Sequence, residues 1–378
     1  MKICFLTPTF LPKLGGVEIV VSSLANQFHV MGHCPCVVTQ WPRRGKGTVE
    51  DRRLDYPVVR YPRPWSFTLA LGMRSIHKAL EHAYRQQQFD LIHCHLVYPV
   101  GFMAVRFAKP RNIPVIITAH GSDIRTTSRY RRRNLIWRRI VRCLKEAQLV
   151  TAISDDMQQV LSQIIGKGPV PLIPNGVDVE ALTQPVEYQS SWPIQPNGEY
   201  VLYLGGLTAK KGVDVLLKAM GLIRQRRLPA NLKLIVAGEG SQRPVLQQYA
   251  SDHDLASAVQ FVGPVAGDFK RFLLQHCQYV VMPSRTEAMP LVALEAFAAG
   301  KPILASNVGG LAKLIRDGVT GRLIAPENPS ALADAMTDFT AADREPMRAN
   351  AQSEAAKYSW STIAEKYLAA YESVLARA

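Results

Sequence analysis

Short, continuously apolar runs alternate along this chain with longer segments whose apolar positions recur at helical spacing. Lys2–Thr7 reads as a buried first strand, Pro8–Gly16 as a loop, and Val17–Met31 as a helix ended by Gly32. The alternation continues with a strand at Cys36–Thr39, a helix from about Thr68 to Gln87, a strand at Leu91–His93, a helix near Val100–Ala108 and a strand at Pro114–Thr118. Leu149–Ile153 is the next strand. Ser154 follows as an N-cap with Asp155 and Asp156 in the first turn, and Pro171–Pro174 begins another strand. The period then stops: Gln184–Gly198 carries Pro185, Pro193 and Pro196 among polar residues, the composition of a linker. Beyond it come strands at Tyr200–Leu204, Leu232–Ala237, Val259–Val262, Tyr279–Met282, Pro302–Ala305 and Gly321–Ile324, with a helix at Val213–Arg226 and a last one from Trp360. This pattern predicts an α/β chain of two Rossmann-like domains, each a doubly wound parallel sheet covered by helices: 1–186, a linker at 187–198, and 199–359, followed by a helix over 360–378. Two such sheets leave a cleft between their carboxyl edges, where ligands bind.

Composition agrees. A length of 378 residues suits two domains, and a hydrophobic share of 47% supplies two cores. No window approaches the roughly 18 apolar residues of a membrane span, and the start, Met1-Lys-Ile-Cys-Phe-Leu, lacks the pattern of a signal peptide, so a cytoplasmic protein is expected. Six cysteines without framework spacing argue for reduced thiols. Cys34-Pro-Cys36 and His93-Cys-His95 invite a metal reading. Successive side chains of a strand point to opposite faces, which argues against it, and no metal site is expected there or at Asp252-His-Asp254.

The formal net charge of +15 changes the picture more, because it predicts attraction to polyanions or acidic surfaces. It is concentrated in Arg129–Leu149, where Ile136, Ile140 and Leu144 form a helical stripe, Trp137 and Val141 widen it, and Arg132, Arg138, Arg139 and Arg142 occupy the remainder. One reading is a solvated helix face and the other a face that docks on anionic lipid, each basic residue adding about 1 kcal/mol before screening. Without a recognition motif beside the arginines, no nucleic-acid role is expected.

Candidate chemistry gathers in loops that follow strands. The stretch Pro283-Ser-Arg-Thr-Glu-Ala-Met-Pro-Leu-Val-Ala-Leu-Glu-Ala-Phe-Ala-Ala-Gly300 leaves a strand, passes Glu287 and Pro290, and turns into a helix at Leu291 that carries Glu295. A strand, loop and helix in this order make an anion site, because the helix N-terminus has free N–H groups and partial positive charge. The Gly15-Gly16 loop lacks dinucleotide spacing, and no Walker A pattern occurs. His120-Gly121 stands at a strand's carboxyl end.

The Pro283–Gly300 stretch resembles the two-glutamate signature of retaining GT-B glycosyltransferases, specifically glycosyltransferase family 4. Other stretches resemble the same family in the same order: Gly15-Gly16, Thr118-Ala-His-Gly-Ser-Asp123, Ile153-Ser154, Ile173-Pro-Asn-Gly-Val-Asp178, Leu204–Gly212, Ala237-Gly-Glu-Gly240 and Asn307-Val-Gly-Gly310. The resemblance implies that Gly16 approaches donor phosphates or the acceptor, that His120 contacts the donor sugar, and that Lys211 binds the diphosphate. It implies further that backbone N–H groups around Met289, Leu291 and Val292 bind sugar and phosphate, that Glu287 grips sugar hydroxyls, and that Glu295 holds the ribose. His120 and Glu287 would be the catalytic pair, no metal or other cofactor would be required, and the last helix would return to the first domain.

Three departures stand out. Gly206 replaces an arginine that contacts the diphosphate, Lys210 replaces an acidic residue and is the candidate compensating base, and Pro290 replaces a glycine and has no N–H to give. The implied activity is retaining transfer of a hexose-type sugar from a nucleoside diphosphate sugar to a hydroxyl of a lipid-linked or cell-envelope glycan, with the chain peripheral on the inner face of the cytoplasmic membrane. Family members acting on lipid-linked acceptors commonly have basic N-terminal surfaces of this kind. The alternatives are a degenerate sugar-nucleotide or polyanion-binding module, and a GT-B epimerase or phosphorylase. Oligomeric state is open.

Overall fold

Strands rich in Val, Ile and Leu that are buried on both faces belong to parallel sheets, and both halves of this chain are built on them. The computed structural model describes residues 1–13, 15–42, 51, 53–64, 66, 73–121, 124, 128, 130–166, 168–194, 199–226, 232–342 and 344–377. Its chain divides into two units, Met1–Gly176 with Trp360–Ala378, and Val177–Ser359.

The first unit runs β1 (Lys2–Leu6), α1 (Gly16–Val30), β2 (Cys34–Gln40), β3 (Val58–Tyr61), α2 (Arg74–Gln87), β4 (Leu91–His95), α3 (Phe102–Ala108), β5 (Val115–Ala119), α4 (Asn134–Glu146), β6 (Leu149–Ala152) and α5 (Asp155–Ile165). Its sheet has the order β3-β2-β1-β4-β5-β6, all parallel. From β1 the chain winds outward to β3 and returns beside β1 as β4. The order therefore reverses between β1 and β4, and a ligand crevice forms at such a point.

The second unit runs α6 (Val179–Thr183), β7 (Tyr200–Leu204), α7 (Val213–Gln225), β8 (Lys233–Ala237), α8 (Arg243–Asp252), β9 (Val259–Gly263), α9 (Gly267–His276), β10 (Val280–Met282), α10 (Leu291–Ala298), β11 (Ile303–Ser306), α11 (Gly309–Leu314), β12 (Gly321–Ile324), α12 (Pro329–Ala341) and α13 (Glu345–Ala356). Its sheet order, β12-β11-β10-β7-β8-β9, reverses between β7 and β10. Leu216, Met220 and Met336 fill one face of this sheet, while Phe272, Phe297 and Leu294 fill the other. The last helix, α14 (Trp360–Leu375), belongs to the first unit, where Tyr371 stacks on Phe28 of α1 at 5.4 Å between ring centres.

Several elements differ from the expectation. The strand β3 went unread because Pro57 and Pro62 bracket only four residues, with Arg60 among them, the brevity of an edge strand. Residues 171–174 form one bridge, Ala152 to Leu172, rather than a strand. The expected start of α2 at Thr68 lies outside the described residues. Ser154 stands at the N-cap of α5, but its hydroxyl donates to Asp156 at 2.5 Å instead of accepting from the helix. The units divide at Gly176, ahead of the Pro-rich 187–198 segment, of which 195–198 lie outside the described residues. Aromatic residues among the prolines account for this: Trp192 packs on Phe269 and Phe272 at 5.1 and 5.0 Å, and Tyr188 donates its hydroxyl to Ile194 O at 2.9 Å.

Candidate active site

In the second unit the sheet reversal places the loops after β7 and β10 side by side, and both expected donor-site segments are these loops. The β7 loop ends in a short 3₁₀ turn, Ala209–Lys211, closed by Gly212. Gly212 has φ +67°, and a Cβ there would stand 1.9 Å from Pro283 O, so only glycine lets the two loops touch. Across that contact the Lys211 ammonium meets Glu287 Oε1 at 2.6 Å, and the Ser284 hydroxyl donates to the same oxygen at 2.7 Å. Both charged side chains are largely covered, 21% and 9% exposed.

Glu287 is held from behind as well. Gly310 N–H donates to Glu287 O at 3.1 Å, and a Cβ on Gly310 would fall 1.5 Å from Ala288 O. The Val-Gly-Gly turn is thus the seat on which the glutamate loop rests. Arg285, a residue that motif reading passed over, stitches the loops together. Its guanidinium donates to both Asp214 oxygens at 2.9 and 2.7 Å and to Glu327 at 2.8 Å, and its backbone N–H donates to Lys210 O at 2.8 Å. The Arg285 guanidinium holds the Asp214 carboxyl below the usual range, first through the hydrogen bonds between them, and the same bonds followed by that to Glu327 raise the guanidinium above its own. A charged Arg flanked by two carboxylates could have been suspected from its place between Ser284 and Glu287, but Asp214 and Glu327 are far away in sequence.

α10 begins at Leu291 with Pro290 before it and no side-chain cap, so Leu291 and Val292 occupy its first turn. Met289 precedes them, half-buried in the loop. Glu295, one turn further on, pairs with Lys270 at 2.6 Å through Oε1. Its Oε2 is buried without a hydrogen-bond partner among the described residues. A buried carboxylate oxygen of this kind is an open acceptor for hydroxyl donors. Lys210 is exposed on the 3₁₀ turn, and Gly206 is also exposed, a Cβ there meeting nothing nearer than Glu239 O at 3.8 Å.

In the first unit the sheet reversal gathers the Gly15-Gly16 turn after β1 and the ends of β4 and β5. Gly16 opens α1, and Gly15 is its N-cap with extended backbone, so neither glycine is there for a left-handed turn. Glu18, buried in the first turn, pairs with Lys13 at 2.8 Å. His120 follows β5, and its Nε2 lies 3.0 Å from His95 Nδ1. Burial pushes the His120 imidazole down to about 4, with the Glu18 carboxylate acting in the opposite direction, so the ring is neutral at pH 7. Ser122 and Asp123 of the His-Gly-Ser-Asp stretch lie outside the described residues.

Strand alternation does not separate His93 from His95, because residues two apart share a face. The His93 and His95 rings lie 4.3 Å apart between centres, tilted by 42°, while Cys94 enters the opposite core. Among the described residues no group of three or more His, Cys, Asp and Glu side chains could hold a metal ion.

On α4, Ile136, Ile140, Cys143 and Leu144 face inward and Arg138 and Arg142 are exposed, Arg142 bonding Glu146 at 2.7 Å, while Arg132 is exposed in the turn before the helix. Arg139 does not belong to the basic face. It falls in the buried row with Ile136, Ile140 and Cys143, lays its guanidinium 5.2 Å over Phe102, and donates to the Tyr98 hydroxyl at 3.3 Å. Trp137, Val141 and Lys145 line a shallow depression on the exposed side together with Arg138 and Arg142. No helix among the described residues is long and apolar enough to cross a membrane.

Both units match family models: residues 14–181 match Glycosyltransferase Family 4, and residues 187–358 match Glycosyl transferases group 1. The chain is 28% identical to an uncharacterized glycosyltransferase of Methanocaldococcus jannaschii, covering 98% of each chain. It is 30% identical to the glycogen synthase of Mycobacterium tuberculosis, covering 81% of this chain and 76% of that one. Among solved structures, Anabaena Alr3699/HepE in complex with UDP-glucose superposes with a TM-score of 0.77 at 23% identity, over 99% of this chain and 100% of that one, which shows a shared fold. The two parallel sheets and the ordered glycine, histidine and glutamate loops therefore carry a common ancestry as well as a common shape: the chain is a GT-B glycosyltransferase and belongs to glycosyltransferase family 4.

Proposed function

We propose that this glycosyltransferase moves a hexose-type sugar, with retention, from a nucleoside diphosphate sugar to a hydroxyl of a lipid-linked or cell-envelope glycan. The observation that carries the donor half is the ion pair of Lys211 and Glu287 beside the uncapped start of α10. In the transfer the bond from the anomeric carbon to the diphosphate oxygen breaks, a bond to the acceptor oxygen forms, and the hydroxyl proton is released. Negative charge grows on the departing diphosphate, and an ammonium with helix N–H groups is the right equipment to receive it. Once the donor is bound, Lys211 turns from Glu287 to the diphosphate, and Glu287 accepts from sugar hydroxyls. Glu295 Oε2, left open by Lys270, accepts from the ribose. Leu291 and Val292 supply N–H groups, Met289 lines the sugar, and Gly16 and His120 act from the first unit. The chain needs no metal of its own in this reading.

Donor turnover tests it. The wild-type chain, offered uridine, guanosine and adenosine diphosphate hexoses, releases the matching diphosphate, and Glu287→Ala lowers that rate by about a hundredfold or more. Equal rates in the two proteins would instead indicate a sugar-nucleotide-binding module.

The acceptor half rests on the exposed face of α4 and the turn before it. Arg132, Arg138 and Arg142 beside Trp137 combine charge with an interfacial aromatic residue, which suits an anionic membrane and an acceptor held there, on the cytoplasmic side. In vesicle sedimentation at low salt the chain partitions onto acidic vesicles in preference to neutral ones, and Arg138→Glu with Arg142→Glu abolishes the preference. Equal partitioning of the wild type refutes membrane docking.

A further inference from the structure

Behind His120 lies a chain of buried polar contacts that the donor reading does not use. His95, fully buried at the end of β4, sets its Nδ1 3.0 Å from His120 Nε2. Its ring is packed against His93 at 4.3 Å and Phe5 at 6.0 Å between ring centres. His93 is fixed through both nitrogens, Nε2 at 2.8 Å from Thr118 Oγ1 and Nδ1 at 2.6 Å from the Tyr371 hydroxyl of α14. His95 Nε2, by contrast, is buried with no partner among the described residues.

That orphan nitrogen decides where the protons sit. Burial lowers all three imidazoles, so each ring is neutral and carries one N–H. In the contact between His95 and His120 one nitrogen must donate and the other accept. If His120 donates from Nε2, the His95 proton is forced onto Nε2, a buried N–H with no acceptor. If His95 donates from Nδ1, its Nε2 carries only a lone pair. Orphaned buried N–H groups are rarer in folded proteins than unpaired acceptors, so the second arrangement prevails. The His120 proton then lies on Nδ1.

We propose that His95 is a positioning residue for His120, which by donating from Nδ1 fixes the His120 proton on Nδ1 and so makes its remaining nitrogen a hydrogen-bond donor to a sugar or phosphate oxygen. The choice of ligand oxygen rests on the donor reading above; the tautomer does not. A donor there recognises hydroxyl or phosphoryl oxygens in acceptor mode, and it cannot serve as a general base without first losing its own proton.

The test is nitrogen NMR of the full chain labelled with ¹⁵N-histidine, with the His120 pair assigned by its disappearance in His120→Gln. The expected spectrum shows His120 protonated on Nδ1, with Nε2 as a bare nitrogen accepting a hydrogen bond. A His120 protonated on Nε2 overturns the proposal, whatever the enzyme's activity. Two variants separate positioning from packing. His95→Asn keeps an N–H near the Nδ1 position, holds the tautomer and retains most turnover, while His95→Phe keeps the ring, mixes the tautomers and lowers kcat about tenfold or more with little change in donor KM. Equal losses in both variants with an unchanged His120 tautomer would also overturn it. If His120 shows the expected tautomer but no nucleotide sugar is turned over, the pairing stands and the donor reading falls.

Discussion

Lys211 and Glu287 can be tested as a unit before any substrate is known. Their atoms meet at 2.6 Å with side chains 21% and 9% exposed, so the pair is shielded from bulk water without being sealed from it. Removing the ammonium in Lys211→Met leaves a covered carboxylate whose described remaining donors include the Ser284 hydroxyl at 2.7 Å. An uncompensated buried charge costs about 3–5 kcal/mol, and a surviving charge-assisted hydrogen bond returns part of that, which puts the loss at about 2 kcal/mol. Glu287→Gln keeps the Ser284 bond and leaves the more exposed Lys211 able to turn to water, at about 1 kcal/mol. The double variant lacks both charges, so it should be more stable than the sum of the two losses predicts, by about 1–2 kcal/mol.

The second unit spans Val177–Ser359. For a unit of that size about 2 kcal/mol lowers Tm by roughly 4–8 °C. Trp192, packed on Phe269 and Phe272, reports on that unit alone once the other four tryptophans are replaced by phenylalanine. Strictly additive losses in this double-mutant cycle would mean that the ion pair does not form in solution, and the proposed handover of Lys211 from carboxylate to diphosphate would lose its basis.

Gly206→Arg should fold normally, since its Cβ meets nothing nearer than 3.8 Å, and should tighten nucleoside diphosphate binding about tenfold or more by calorimetry. Unchanged affinity would show that the site has no use for a charge there. Gly310→Ala should cost at least about tenfold in donor turnover, because its Cβ would sit 1.5 Å from Ala288 O and push the Glu287 loop off its seat; full activity would refute that role. Burial holds His93 at about 3 against an ordinary 6.5, so the unfolded chain takes up a proton that the folded ring refuses. Its contribution is complete above pH 6.5 and is lost as pH falls toward 3, at about 1.4 kcal/mol per pH unit, and His93→Gln should flatten the pH dependence of unfolding by about one proton.

Much of the architecture was legible because parallel strands are buried on both faces and read as unbroken apolar runs; β10 with its glutamate loop is an example. Helices were less legible where apolar faces are short: α8, α9, α11, α12 and α13 surround the second sheet and were not read, their polar sides concealing the period. Proline content makes 187–198 read as a linker, but it does not show that Tyr188 and Trp192 pack on aromatic residues about eighty positions further along the chain. Motif spacing singled out Lys211, Glu287 and Glu295 as candidates in the second unit and His120 in the first. It could not reveal that Lys211 is already bound to Glu287, that Lys270 takes one oxygen of Glu295, or that His95 supports His120, since each contact joins residues 25 or more apart. Arg139 shows the opposite error: an arginine counted with a charged face proved to lie on the buried row of its own helix.

The charges around the β7 loop also bear on how the chain manages without the arginine at position 206. Arg285 is the strongest cation nearby, yet it is saturated by Asp214 and Glu327, and an incoming diphosphate would have to displace carboxylates to use it. Lys211 faces one carboxylate, which in the proposed reading the sugar hydroxyls would satisfy. Lys210 has no ion pair among the described residues and is exposed on the same 3₁₀ turn, its carbonyl pinned by the Arg285 backbone N–H, so the turn that carries its ammonium is held in place. A cation not already neutralised contributes most to a new anion. Lys210→Ala should therefore weaken diphosphate binding about tenfold in the wild-type chain and much less in a Gly206→Arg background, where the arginine takes over. Equal losses in the two backgrounds would mean that Lys210 and the missing arginine do different work.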